Sequence, residues 1–201
     1  MAKVAGIVLF PDFEDLDAIG PREALTMMAK GSGGEWEVVL IGEDRGPITS
    51  FLGTRYLVDH SYEDCPPLDV ILVPGSLGTR KEMENPKHLD FVRRQGRQAA
   101  WVTSVCTGAL VLHRAGFLEG KRATTHWGSI TELQNLGGNT TVVNDERWVH
   151  DGNVITAAGV SAGIDMALYL ISLLKGPDTA RRVQQMMEYY PQPPVFEDAP
   201  A

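Results

Sequence analysis

At 201 residues the chain has room for one domain with a sizeable core and is too short for two typical ones. Its net charge of −8 speaks against nucleic acid or an anionic membrane as partner, because phosphate binding needs clustered Lys and Arg. The pairs Arg93-Arg94 and Arg181-Arg182 read instead as solvated helix faces. Two cysteines, Cys65 and Cys106, with no C-x-x-C or H-E-x-x-H, give no zinc cluster. The opening "MAKVAGIVLF" is too short for a signal h-region, and no segment approaches the roughly 18 apolar residues that span a bilayer. A cytoplasmic protein with reduced thiols is therefore expected.

In chain order, "VAGIVLF" (4–10) is a continuous apolar run ended by Pro11, as expected of a strand buried on both faces. Residues 16–30 have helical spacing at Ile19, Ala24, Leu25 and Met28, with Pro21 expected to end or kink the first part. "WEVVLIG" (36–42) is a second strand, and 54–62 reads as strand or edge. "LDVILVPGS" (68–76) is a third buried strand that runs into a Pro-Gly-Ser turn. A helix over 85–97 follows, with Asn85 as cap and Pro86 at its first position. Next come a strand at 99–105, Cys106, and a helix from about 107 to 115. Residues 122–138 hold a short strand and a helix that ends at Gly137-Gly138. Strands around an Asp151-Gly152 turn, a helix over 161–177 and a last helix over 178–189 complete the pattern. Alternating strands and helices predict a single α/β domain, residues 1–190, around a largely parallel sheet, with a Pro-rich tail over 191–201.

Ligands gather at the carboxyl ends of strands in such sheets. Asp17 after the first strand, the Pro74-Gly75-Ser76 turn after the third, and Cys106 all fall there. A residue at a sharp strand-to-helix turn is pushed out of the sheet, which is the geometry of a nucleophile elbow. The helix that follows offers its dipole and free N–H groups to a thiolate, so a Cys106 pKa below about 8.5 is expected. The residues alone leave a second reading open, since a lone Cys in an apolar run is commonly core. Cys65, in "EDCPPLD", reads as structural or as an incidental surface thiol.

The segments "VPGSLGT", "VTSVCTGALVLHRAGFLEGKRATTHW" and "DGNVITAAGVSAGIDMALYLI" resemble the ThiJ/PfpI superfamily. The resemblance covers nearly the whole chain. It implies a flavodoxin-like, class I glutamine amidotransferase-like fold. Within the superfamily, "DLDAIGP", "SVCTGA", "ATTHW" and "EYYPQPP" are similar to the isocyanide hydratase branch. The resemblance implies a hydro-lyase that converts an isocyanide to an N-substituted formamide through a cysteine thioimidate. By position it makes Cys106 the nucleophile and Asp17 the facing acid, where many superfamily members have Glu. Thr107 stands where the protease-like branch has His, which counts against a Cys-His hydrolase. Gly75, Ser76 and Thr107 are candidates to supply N–H groups to developing negative charge.

His126 is a possible site residue, with a packed structural role as the competing reading. The other histidines, His60, His88, His113 and His150, read as loop or exposed-face residues. Asp17 is open to a simpler reading as a helix-start acid, and Asp12, Glu14 and Asp15 read as solvated loop charges. The resemblance further implies a homodimer and a small-molecule substrate, with water and with no metal or organic cofactor. Three alternatives stand beside the hydratase: a glyoxalase- or deglycase-like enzyme acting on 2-oxoaldehydes, a cysteine redox sensor, and a binding module akin to the ligand-sensing half of transcription regulators.

Overall fold

A computed structural model describes residues 2–191; the expected tail, apart from Pro191, lies outside the described residues. The elements run β1 (Lys3–Val8), α1 (Asp15–Lys30), β2 (Trp36–Gly42), β3 (Ile48–Thr49), β4 (Arg55–Tyr56), β5 (His60–Ser61) and β6 (Val70–Val73). They continue with α2 (Thr79–Glu82), α3 (Pro86–Gly96), β7 (Trp101–Val105), α4 (Gly108–Arg114), β8 (Arg122–Ala123), α5 (Ile130–Asn135) and β9 (Thr141–Val142). The last are β10 (Trp148–Asp151), β11 (Val154–Ala157), α6 (Ala162–Lys175) and α7 (Pro177–Met186). Seven strands form the main sheet in the order β10-β11-β7-β6-β1-β2-β5. All its pairings are parallel except the β10–β11 hairpin.

The apolar runs of β1, β6 and β7 are buried because helices cover both faces of the sheet. Helices α1, α6 and α7 pack together, and α2 to α5 form a second group. From β1 the chain goes to β2 on one side and returns to β6 on the other. The carboxyl ends of β1 and β6 therefore flank a topological switch point, where loops diverge and leave a crevice. Cys106 follows β7, the next strand over.

Two expectations are corrected. Helix α1 does not end at Pro21 but continues to Lys30. Proline removes the bond that position 21 would make to the carbonyl of residue 17. Burial of Ala18, Pro21, Ala24, Leu25 and Met28 holds the helix together in its place. The run at 54–62 is not one strand. Arg55–Tyr56 pairs back on Ile48–Thr49 as a small hairpin, and only His60–Ser61 joins the main sheet. The Asn85 cap is as expected, its Oδ1 accepting from the Lys87 and His88 N–H groups at 3.1 and 3.4 Å.

Candidate active site

Cys106 occupies the turn between β7 and α4 with φ +56°, a left-handed conformation that costs a non-glycine residue about 1–3 kcal/mol. The turn is pinned from both sides. The Cys106 N–H donates to the Ala157 carbonyl at 3.1 Å, and its carbonyl accepts from the Thr125 hydroxyl at 2.8 Å. Close approach needs glycine next to it. A Cβ on Gly108 would lie 2.1 Å from the Val73 carbonyl oxygen, and one on Gly159 would lie 2.8 Å from the His126 ring and 3.3 Å from the sulfur. Thr125 and Gly159 were not singled out from the sequence as site residues. The signal for Gly159 is its place just past β11, in line with the glycines that follow β6 and β7.

Asp17 sits in the first turn of α1 and is fully buried. Its Oδ2 accepts the Gly75 N–H at 2.9 Å, while Oδ1 is buried without a partner of its own, and the carboxyl lies against the Cys106 thiol. Burial, reinforced by the charge of Glu14 and opposed by the Gly75 N–H, pushes the Asp17 carboxyl up to about 8. The simple helix-start role does not describe a carboxyl held this way.

The expected lowering of the Cys106 pKa is not what the site delivers. Burial first, and the Asp17 charge second, push the thiol up to about 12. The Thr107 N–H and hydroxyl pull in the expected direction, but a helix of seven residues does not offset removal of the sulfur from water. Two acids in contact cannot both ionise readily, so the pair gives up one proton and shares the remaining one.

The structure brings Gly75, Ser76 and Thr107 to the elbow, but it gives the first two N–H groups other work. The Gly75 N–H is held by Asp17, and the Ser76 N–H donates to the Thr107 hydroxyl at 2.7 Å. That hydroxyl also lies 3.0 Å from the Thr79 hydroxyl and donates to the Ser76 carbonyl at 3.0 Å. Of the three residues it is Thr107, through its N–H and hydroxyl, that favours the charged sulfur. The turn is tight at Gly75, where a Cβ would meet the Thr107 nitrogen at 2.4 Å.

His126 lies in the same cleft, half-buried, with its Nδ1 accepting from the Gly128 N–H at 3.2 Å. Burial and the neighbouring Arg80 charge favour its neutral ring. The cleft has a volume of about 430 Å³, and Cys106 lies in it between the apolar side chains of Phe51, Leu77, Trp127 and Val160. Among the described residues, no group of three or more His, Cys, Asp or Glu is placed to hold a metal ion.

Other readings need correction. Asp15 is no solvated loop charge: it belongs to α1, accepts the Tyr56 hydroxyl at 2.7 Å and has one oxygen buried without a partner. Glu14 lines the cleft, and burial raises its pKa; Asp12 is exposed, as expected of a loop acid. His88 is fully buried rather than exposed, 2.6 Å from the Tyr62 hydroxyl and edge-on to Phe10. Burial lowers its pKa to about 4. Cys65 is half-buried away from the cleft, its thiol donating to the Pro66 carbonyl at 3.3 Å and pushed up to about 11 by burial.

A parallel α/β sheet with a strained cysteine at the turn after a central strand, and a buried acid against the sulfur, defines a cysteine-elbow protein of the flavodoxin-like type. The chain belongs to the DJ-1/PfpI family, whose model matches residues 2–173. It is 45% identical to the isonitrile hydratase of Pseudomonas putida, across 100% of this chain and 84% of that one. It is 26% identical to the transcriptional regulator GbdR of Pseudomonas aeruginosa, across 92% of this chain but 50% of the regulator. Among solved structures, a ThiJ/PfpI family protein from Pseudomonas syringae superposes with a TM-score of 0.88 at 31% identity, covering 98% of this chain and 78% of that one.

Proposed function

We propose that the protein hydrates an isocyanide to an N-substituted formamide, with Cys106 as nucleophile and Asp17 as the acid and then the base. The observation that carries this reading is the buried Asp17 carboxyl against the Cys106 thiol at the head of an apolar cleft. A 45% identical relative that is an isonitrile hydratase supports it.

The pair reacts after giving up one proton: the thiol passes its proton to the Asp17 carboxylate, and the minor tautomer so formed, thiolate and carboxylic acid, is the reactive one. The sulfur attacks the terminal isocyanide carbon, forming the C–S bond, and Asp17 delivers its proton to the same carbon. The product is a thioimidate, R–N=CH–S, and Asp17 is now a carboxylate. It takes a proton from water as the water oxygen attacks that carbon. The nitrogen accepts a proton from Asp17 as the C–S bond breaks, which leaves R–NH–CHO, the thiolate and a second water-derived proton back on Asp17. One water is consumed, and no electrons enter or leave. The Thr107 N–H steadies the sulfur in both its anionic states. Gly75 holds one Asp17 oxygen so that the unpartnered Oδ1 is the one free to move protons.

The test is loss of the isocyanide infrared stretch and appearance of a formyl proton by NMR, run beside methylglyoxal consumption with the same preparation. Consumption of methylglyoxal alone would replace the reading with the glyoxalase class. We extend the proposal to a homodimer, the assembly that the family resemblance implies. Sedimentation of the purified chain tests it. We place the enzyme in the cytoplasm, where its thiol stays reduced; no helix among the described residues is long and apolar enough to cross a membrane.

A further inference from the structure

The cleft has two walls from distant parts of the chain. One is the Ser76-Leu77 loop leading into α2, and the other is the short 3-10 turn Trp127–Ser129 leading into α5. Neither wall holds itself: α2 has four residues and the 3-10 turn three, below any length with helical stability of its own. Their apolar tips are turned to the opening, with Leu77 at 65% and Trp127 at 79% exposure.

Among the described residues, a single guanidinium joins them. Arg80 donates from Nη1 to the Ser76 carbonyl at 3.1 Å, on its own wall. Across the gap it donates from Nε to Glu132 Oε1 at 3.1 Å and from Nη2 to the Ser129 hydroxyl at 3.2 Å, with Nη2 also meeting Glu132 Oε2. This is a fork-to-fork pair with two additional anchors, a geometry that an ammonium on a flexible stem does not reproduce. Glu132 itself is half-buried outside the cleft and touches nothing that reacts.

We propose that the Arg80–Glu132 pair is a positioning strap that sets the gap between Leu77 and Trp127, and so determines which N-substituents are held beside Cys106. The inference rests on the isocyanide reading for its substrate, but the strap acts on any electrophile that enters the cleft. A small substituent meets the sulfur without leaning on either wall. A cyclic one fills the gap and loses contacts when the walls part.

The test uses Glu132→Gln and, as a second variant that keeps the charge but not the fork, Arg80→Lys, each in a Cys65→Ser background. Both variants sit on half-exposed side chains, and their folding is checked by circular dichroism. Steady-state kinetics compares methyl isocyanide with cyclohexyl isocyanide. In parallel, the rate of Cys106 alkylation compares N-methylmaleimide with N-cyclohexylmaleimide, which needs no turnover. Glu132→Gln is expected to raise KM for the cyclohexyl substrate about fivefold with kcat unchanged, the signature of lost uniform binding, while the methyl substrate is unaffected. The preference for the cyclohexyl maleimide falls by the same factor. Unchanged selectivity in both assays, or an equal loss for small and bulky probes, overturns the strap. If the parent protein turns over no isocyanide, the hydratase reading fails, and the maleimide ratio alone still decides the strap.

Discussion

Replacing Asp17 with Asn separates the two demands that the site makes on one carboxyl. The shape is kept, and an amide oxygen still accepts the Gly75 N–H, but no proton moves at neutral pH. Loss of general acid–base catalysis should lower kcat/KM by about 10²–10⁴. The same change should stabilise the fold. The Asp17 pKa rises from 3.8 to about 8 on folding, so between these values the native state binds a proton that the unfolded chain has released. Stability contributed by such a group falls as pH rises through that window. At about 1.4 kcal/mol per unit, the penalty accumulates to roughly 4 kcal/mol by pH 7 and levels off above pH 8. Urea unfolding of parent and variant, compared at each pH from 4 to 9, isolates Asp17 together with the groups coupled to it, Glu14 and Cys106, because titrations elsewhere cancel. The stability difference should be near zero at pH 4 and should widen in favour of Asp17→Asn until about pH 8. Formamide production near the parent rate would remove Asp17 from the mechanism. A stability difference independent of pH would show that burial does not hold the carboxyl protonated.

The parent enzyme's kcat/KM should rise with pH as the Cys106–Asp17 pair gives up its first proton near pH 8, and a profile that falls there would require both protons for reaction. In Asp17→Asn the thiol should titrate below its parent value of about 12, measured by alkylation against pH, because the second cause of its rise is gone. Cys106→Ala should abolish turnover in a chain that still melts cooperatively, and Cys65→Ser, away from the cleft, should react like the parent. His88, neutral in the fold and held near 4 against 6.5 unfolded, contributes stability that is full above pH 6.5 and is lost as pH falls through 4. The loss amounts to about 3 kcal/mol and should be absent from the acid limb of His88→Leu.

The elbow was legible in the sequence because its geometry is local. An apolar run that stops at a cysteine and resumes as Thr-Gly with helical spacing specifies a strand, a turn and a helix within a dozen residues. The resemblance then placed Asp17 against it. What could not be read was the balance of forces at the sulfur. The helix terminus behind Cys106 is visible from spacing, whereas its burial depends on β1, β6, β11 and the loops that close over them. Burial proved the larger effect. The same holds for Asp15, Glu14 and His88, whose surroundings come from Tyr56, the cleft and Tyr62, each far off in sequence. Helix α1 continues past Pro21 for a related reason: the local cost of proline is real, but packing of α1 against α6 outweighs it.

This ordering of local and distant effects bears on how the site works. A thiol ionised by its helix alone would be reactive with any electrophile at neutral pH. Here burial holds back thiolate, and on the proposed mechanism turnover draws on the proton shared with Asp17 by spending it on a carbon that can take it. An isocyanide carbon has the required lone pair, and a carbonyl carbon does not. The prediction that follows is a selectivity in Asp17→Asn. Alkylation by iodoacetamide, which needs thiolate and no proton donor, should survive and shift with the thiol's own titration. Thioimidate formation, which needs both, should fall by the full about 10²–10⁴. Mass spectrometry of Cys106 after each reagent reads the two outcomes on one side chain. Equal losses would mean that Asp17 only shapes the pocket, and equal survival would mean that the proton reaches carbon from somewhere else.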